Sequence, residues 1–103
     1  MAVSLFQRLQ VRDFDKWLNP DPAGLAQMLK SQGVLAFGLY RNANDPNGVL
    51  LQIQFADRDT LNSFREWYEP MAAQWATTHP GAEQEIVDNW VGEDIPAYSG
   101  TLQ

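Results

Sequence analysis

Residues 34–55 read Val-Leu-Ala-Phe-Gly-Leu-Tyr-Arg-Asn-Ala-Asn-Asp-Pro-Asn-Gly-Val-Leu-Leu-Gln-Ile-Gln-Phe. The two ends are rich in branched and aromatic residues, as pleated strands favour. Between them, Asn42 to Gly48 holds only turn formers and one alanine, which reads as a loop. The stretch therefore predicts a hairpin of two strands, Val34 to about Arg41 and Val49 to Phe55. In the second of these, Val49, Leu51, Ile53 and Phe55 alternate with Leu50, Gln52 and Gln54, so one face is wholly apolar. In the first, Leu35, Phe37 and Leu39 alternate with Val34, Ala36 and Tyr40, and both faces keep apolar residues. A sheet covered by helices on one side only should be polar on the other. A second covering layer is expected, and the simplest is another copy of the chain.

Outward from the hairpin, Val3, Leu5, Leu9 and Val11 recur every second residue and predict a first strand, with Gln7 as the polar exception on its apolar face. Asp13 offers a helix cap before Phe14, Trp17 and Leu18, but Asn19-Pro20-Asp21-Pro22 interrupts that helix. Asp21 as a cap with Pro22 at the first helical position restarts it. Leu25, Met28 and Leu29 form its buried stripe, and Gly33 suits a left-handed helix end. Beyond the hairpin, Asp57 caps a helix carrying Leu61, Phe64, Tyr68, Met71 and Trp75 on one face, ending by His79-Pro80-Gly81. Pro70 inside it should kink or split the helix. Glu85 to Val91 predicts a fourth strand. The order is that of the ferredoxin-like α+β fold, βαββαβ, a four-stranded antiparallel sheet with two helices on one face. The domain is expected over 1–91, with 92–103 a C-terminal tail that can cross to the partner copy.

Composition narrows the function. At 103 residues the chain holds one core, not two. A net charge of −6, with seven unclustered basic residues, argues against nucleic acid as a partner. No apolar run reaches the roughly 18 residues that cross a bilayer, so no membrane partner is expected. Without cysteine there are no disulfides, thiol nucleophiles or thiolate metal sites, which suits a cytoplasmic protein. Phosphate loops, dinucleotide fingerprints, nucleophile elbows and zinc-protease motifs are all missing. One histidine makes a zinc site unpromising, and the acidic residues from Glu83 to Asp94 read as a solvated face.

Val11-Arg12-Asp13-Phe14-Asp15-Lys16-Trp17, Gly33-Val34, Tyr40-Arg41-Asn42, Asn44-Asp45-Pro46-Asn47 and Phe55-Ala56-Asp57 resemble the dimeric α/β-barrel superfamily. More narrowly they are similar to the small antibiotic biosynthesis monooxygenase-like proteins. The resemblance spans about Val3 to Val91 and implies a homodimer whose two sheets face each other. It also implies one of several activities, including cofactor-free oxygenation of aromatic polyketides, haem degradation, isomerisation and dehydration. In the haem-degrading branch an Asn on the first strand works with a Trp and a His on the second helix. Here Gln7 replaces the Asn, Trp67 matches the Trp, and Thr77 stands where the His belongs, two residues before His79. Haem is therefore not expected, and no cofactor is.

Two groups of residues are candidates for chemistry. Gln7 is either satisfied within the core or lines a cavity and binds a ligand oxygen. Trp67, Tyr68, Trp75 and His79 share the second helix, and large rings around a few polar groups suit a flat aromatic ligand. His79 is the only side chain whose ordinary pKa lies near neutrality, the natural general base if one exists. Equally, such rings are ordinary core residues, and a lone His before Pro80 can simply end a helix at the surface. Tyr40 is a further candidate contact, and Arg41 beside it should pair with Asp45 or Asp57. Two functions follow: a cofactor-independent monooxygenase-like enzyme using His79 and Gln7 on an aromatic substrate held by Trp67, Trp75, Tyr68 and Tyr40, or a non-catalytic dimer that binds a small ligand or a protein.

Overall fold

A computed structural model of the chain describes residues 2–98 and 100. Strands β1 (Val3–Val11), β2 (Val34–Arg41), β3 (Gly48–Phe55) and β4 (Gln84–Glu93) form one antiparallel sheet in the order β2-β3-β1-β4. Helices α1 (Phe14–Trp17), α2 (Pro22–Ser31) and α3 (Arg58–Thr78) pack on one face of it. Pairing aligns Leu5 with Ile53 and Leu9 with Val49, so the apolar sets of β1 and β3 share the helix side. That side is the core, built around Leu5, Ile53, Phe55, Leu61 and Phe64.

Each helix begins where a carboxylate satisfies the free amides of a first turn. Asp13 accepts from the Asp15 and Lys16 amides, Asp21 from Gly24 and Asp57 from Thr60. Gly33 ends the α2 segment with φ at +86°, a backbone that residues with a Cβ rarely adopt. The hairpin loop is held by its own side chains: Asn42 accepts from the Asn44 amide and Asp45 from the Asn47 amide. Asn47 then accepts from the Phe14 amide at 3.1 Å, tying the loop to α1. Arg41 forms no ion pair with Asp45 or Asp57. Its Nε donates to the Pro46 carbonyl at 2.8 Å and its guanidinium lies 4.1 Å over the Phe14 ring. A solvated carboxylate offers little against a carbonyl and an aromatic face already in reach.

The structure departs from the sequence reading at three other points. Pro70 does not split α3, which runs unbroken for 21 residues. Both Pro70 and Glu66, whose carbonyl loses its donor, are exposed, so water can reach the freed group. The pairing register shifts between Val34 and Ala36, a bulge that turns Val34 to the helix side, where it is buried beside Phe55. A second shift, between Arg8 and Leu9, disrupts β4, which nevertheless continues to Glu93 opposite Val3. After it come a hydrogen bond from the Asp94 amide to the Ala2 carbonyl and a short 3-10 turn at Pro96–Tyr98. Of the expected tail, residues 99 and 101–103 lie outside the described residues.

The sheet's other face carries Phe6, Tyr40, Leu50 and Trp90 among Ser4, Arg8, Gln52, Gln54 and Asp88. It is mixed, and three of these four large apolar residues are aromatic. The Tyr40 ring lies on Gly38 and the Trp90 ring on Gly92, where an added Cβ would come within 2.9 and 2.7 Å of ring atoms. Phe6 meets Trp90 at 5.4 Å between centroids. Both glycines sit on edge strands, and each makes room for a ring to lie flat on the sheet.

Candidate functional site

Phe64 and Leu61 of α3 reach the core fully, but further along the same face Tyr68 and Met71 are half-buried and Trp75 is 50% exposed. Helices α2 and α3 thus part over β2 and β3 and leave a cleft of about 270 Å³. Its floor is Phe37, Leu39, Leu51 and Ile53; its walls are Leu25, Met28 and Leu29 of α2 and Tyr68, Met71 and Trp75 of α3. The segment after α1 (Trp17 to Asn19) and the start of β4 (Ala82, Gln84) close the far end. Leu18, Phe37 and Trp75, all exposed by more than a third, form an apolar rim to solvent.

Few polar groups face this cleft. Trp17 Nε1 donates to Gln84 Oε1 at 2.8 Å. Tyr68 stacks on Phe64 at 5.3 Å and 11°, and its hydroxyl has no partner among the described residues. Burial pushes the Tyr68 hydroxyl above the usual phenol pKa, so it stays protonated and acts as a donor. No His, Asp or Glu lines the cleft, and no group of three or more metal-ligating residues exists among the described residues.

Of the six residues singled out from the sequence, Tyr68 and Trp75 lie on the cleft wall. Trp67 packs behind it, 5.9 Å from Phe64 and against the core. His79 lies outside, its ring stacked on Trp75 at 3.5 Å and 8°, with Nδ1 3.0 Å from the Trp75 carbonyl. Tyr40 is on the opposite side of the sheet. Gln7 is 1% exposed, next to Leu51 in the ladder but off the cleft wall. Neither its Oε1 nor its Nε2 has a hydrogen-bond partner, so no group of the core satisfies it. The structure therefore separates Gln7 from His79 and brings together Tyr68, Trp75 and a pair that the sequence reading missed, Trp17 and Gln84. Trp17 and Gln84 are 67 positions apart, and no local spacing signals their contact.

A four-stranded antiparallel sheet in the order β2-β3-β1-β4 with its helices on one face defines a ferredoxin-like α+β protein. Solved structures show the same fold. HapK from Hahella chejuensis matches with a TM-score of 0.63 at 17% identity, over 98% of both chains. SnoaB, a cofactor-independent oxygenase from Streptomyces nogalater, matches at 0.60 and 14%, over 91% of this chain and 93% of its own. A Deinococcus radiodurans protein, named provisionally as an antibiotic biosynthesis monooxygenase, matches at 0.56 and 12%, over 100% and 99%. No family model and no curated protein matches the chain.

Proposed function

We propose that the protein is a homodimer whose cleft binds a planar aromatic small molecule and supports its oxygenation without a cofactor. The cleft itself carries this reading: it is open at a rim of Leu18, Phe37 and Trp75 and walled almost wholly by apolar side chains. SnoaB, of the same fold, is described as a cofactor-independent oxygenase. In such a reaction the substrate's own enolate gives an electron to O₂. The protein then has to supply shape, exclusion of water and a hydrogen bond to the substrate oxygen. Trp75 and Tyr68 would touch the ligand, His79 would hold the Trp75 ring from behind, and Trp67 and Gln7 would back the wall.

The dimer is supported by the ring-bearing face of the sheet. The single chain exposes 7162 Å², against roughly 5,900 Å² for a globule of its mass. That surplus exceeds the roughly 800 Å² each partner contributes to a standard interface. Tyr40 belongs to this face rather than to the cleft. A cytoplasmic setting is part of the same reading, and no described helix is long and apolar enough to cross a membrane.

A second reading, ligand binding without chemistry, is favoured by the absence of His, Asp and Glu from the wall and by the protonated Tyr68, which leave no general base there. Anthrone with O₂ tests both, since anthrone plus O₂ gives anthraquinone plus water. Binding with O₂ uptake faster than the protein-free rate supports the oxygenase. Binding with unchanged uptake supports the non-catalytic reading, and no binding refutes both.

A further inference from the structure

We infer that the cleft selects aromatic ligands bearing an acceptor oxygen at the ring edge, with the Gln84 amide as the donor that reads it and Trp17 as the residue that aims that donor. The inference deepens the proposed function and rests on the cleft being a ligand site.

The direction of an amide side chain is set by its neighbours. An indole N–H can only donate, so the Gln84 atom 2.8 Å from Trp17 Nε1 must be the oxygen. The NH₂ group is thereby turned away from Trp17, and it has no partner among the described residues. Trp17 itself is fixed: its backbone amide closes the α1 turn on the Asp13 carbonyl, and its ring packs against Phe14 at 6.0 Å. Gln84 is fixed as well, because it pairs with Val11 in the sheet ladder. Both line the cleft.

Across the same space stands the unpartnered Tyr68 hydroxyl, kept protonated by its burial. The lining holds two side-chain amides, and the oxygen of each is already occupied, that of Gln84 by Trp17 Nε1 and that of Asn19 by the Asp21 amide. Both therefore offer a ligand donors, as the Tyr68 hydroxyl does. A ligand that brings only a donor finds no free amide or carboxylate oxygen and only the weakly accepting Tyr68 oxygen, while a carbonyl or phenolate oxygen finds several donors and no repelling carboxylate. Leaving a buried donor unpaired costs more than a typical hydrogen bond gains, so the preference works against the wrong ligand as well as for the right one. An enolate oxygen is the same acceptor with more charge, and its hydrogen bonds strengthen accordingly.

The test is calorimetric titration of the full chain with two tricyclic rings of equal shape, fluorene and 9-fluorenone, which differ only in the ketone oxygen. Fluorenone is expected to bind at least about fivefold more tightly, the value of one net hydrogen bond. Gln84→Met should bring the affinity ratio toward one, and Gln84→Glu, whose carboxylate repels the ketone oxygen, should invert it. Trp17→Phe should also lower the ratio, because Gln84 is then free to rotate. A structural role for Trp17 alone would weaken both rings equally and leave the ratio intact. Equal affinity of the wild-type protein for both rings, or a ratio unchanged in Gln84→Met, overturns the inference while leaving the cleft a binding site. Failure of both rings to bind overturns the inference and the proposed function together.

Discussion

Replacing Gln7 by methionine should make the protein more stable. Gln7 is 1% exposed, and both of its amide atoms lack a partner, yet it lies in the ladder between Leu51 and Asn89 with Leu5 and Leu9 on the same face. A buried polar group without a partner costs about 1–3 kcal/mol. Methionine keeps the unbranched length and discards the amide, and volume-conserving swaps of this kind cost less than about 1.5 kcal/mol. A net gain of about 1–2 kcal/mol is expected, which for a domain of this size raises the melting temperature by at least about 4 °C. Urea unfolding at one fixed protein concentration measures it, with an unchanged slope showing that the unfolded state is the same. Gln7→Asn is the control: it keeps the amide, removes a methylene and should lose about 1 kcal/mol. A loss of stability in Gln7→Met would refute the reasoning, because it would mean that the amide is satisfied in the folded protein and does structural or functional work.

Three further outcomes are expected. Asp57 is held below the usual carboxylate pKa by hydrogen bonds from the Thr60 amide and hydroxyl, so its cap is at full strength above the unfolded-state pKa near 3.9 and is lost as pH falls through the lower folded value. Asp57→Ala should lower the melting temperature at pH 7 and flatten its acid dependence, as read by thermal unfolding from pH 2 to 7, whereas an equal acid slope would contradict the cap. Gly33→Ala should cost about 1–2 kcal/mol or more, since φ is +86° and the new Cβ would lie 2.6 Å from the Thr60 methyl; unchanged urea unfolding would refute it. Trp90→Asp, on the ring-bearing face, should shift sedimentation equilibrium from a dimer toward the 11.7 kDa chain without altering binding in the cleft across the sheet; a wild-type protein that already sediments as a single chain would remove the dimer.

Most of the fold was legible because its signals are local. Asp13, Asp21 and Asp57 stand one residue before helices and cap them, and the period of two in β1 and β3 fixes which face is buried. The bulge at Val34–Ala36 was not legible, since Val34, Leu35 and Ala36 are all apolar and alternation alone cannot mark the slipped residue. The site was half legible. Tyr68 and Trp75 follow from helical spacing, and Gln7 stands out as polar on an apolar face. Whether that face meets a cleft or solid packing depends on where α2 and α3 part, which is a tertiary property. The Trp17–Gln84 contact has the same origin, joining the end of α1 to the start of β4. His79 showed its helix-ending position in the sequence, but its stacking on Trp75 depends on the final turn of α3.

A crystal structure of the protein with bound 9-fluorenone tests the central claim most directly. The ring is predicted between α2, α3 and the β2–β3 floor, against Trp75 and Leu51, with its oxygen toward Gln84. Density for the ring on the opposite side of the sheet, among Phe6, Tyr40 and Trp90, with the cleft closed by its own side chains, would contradict it.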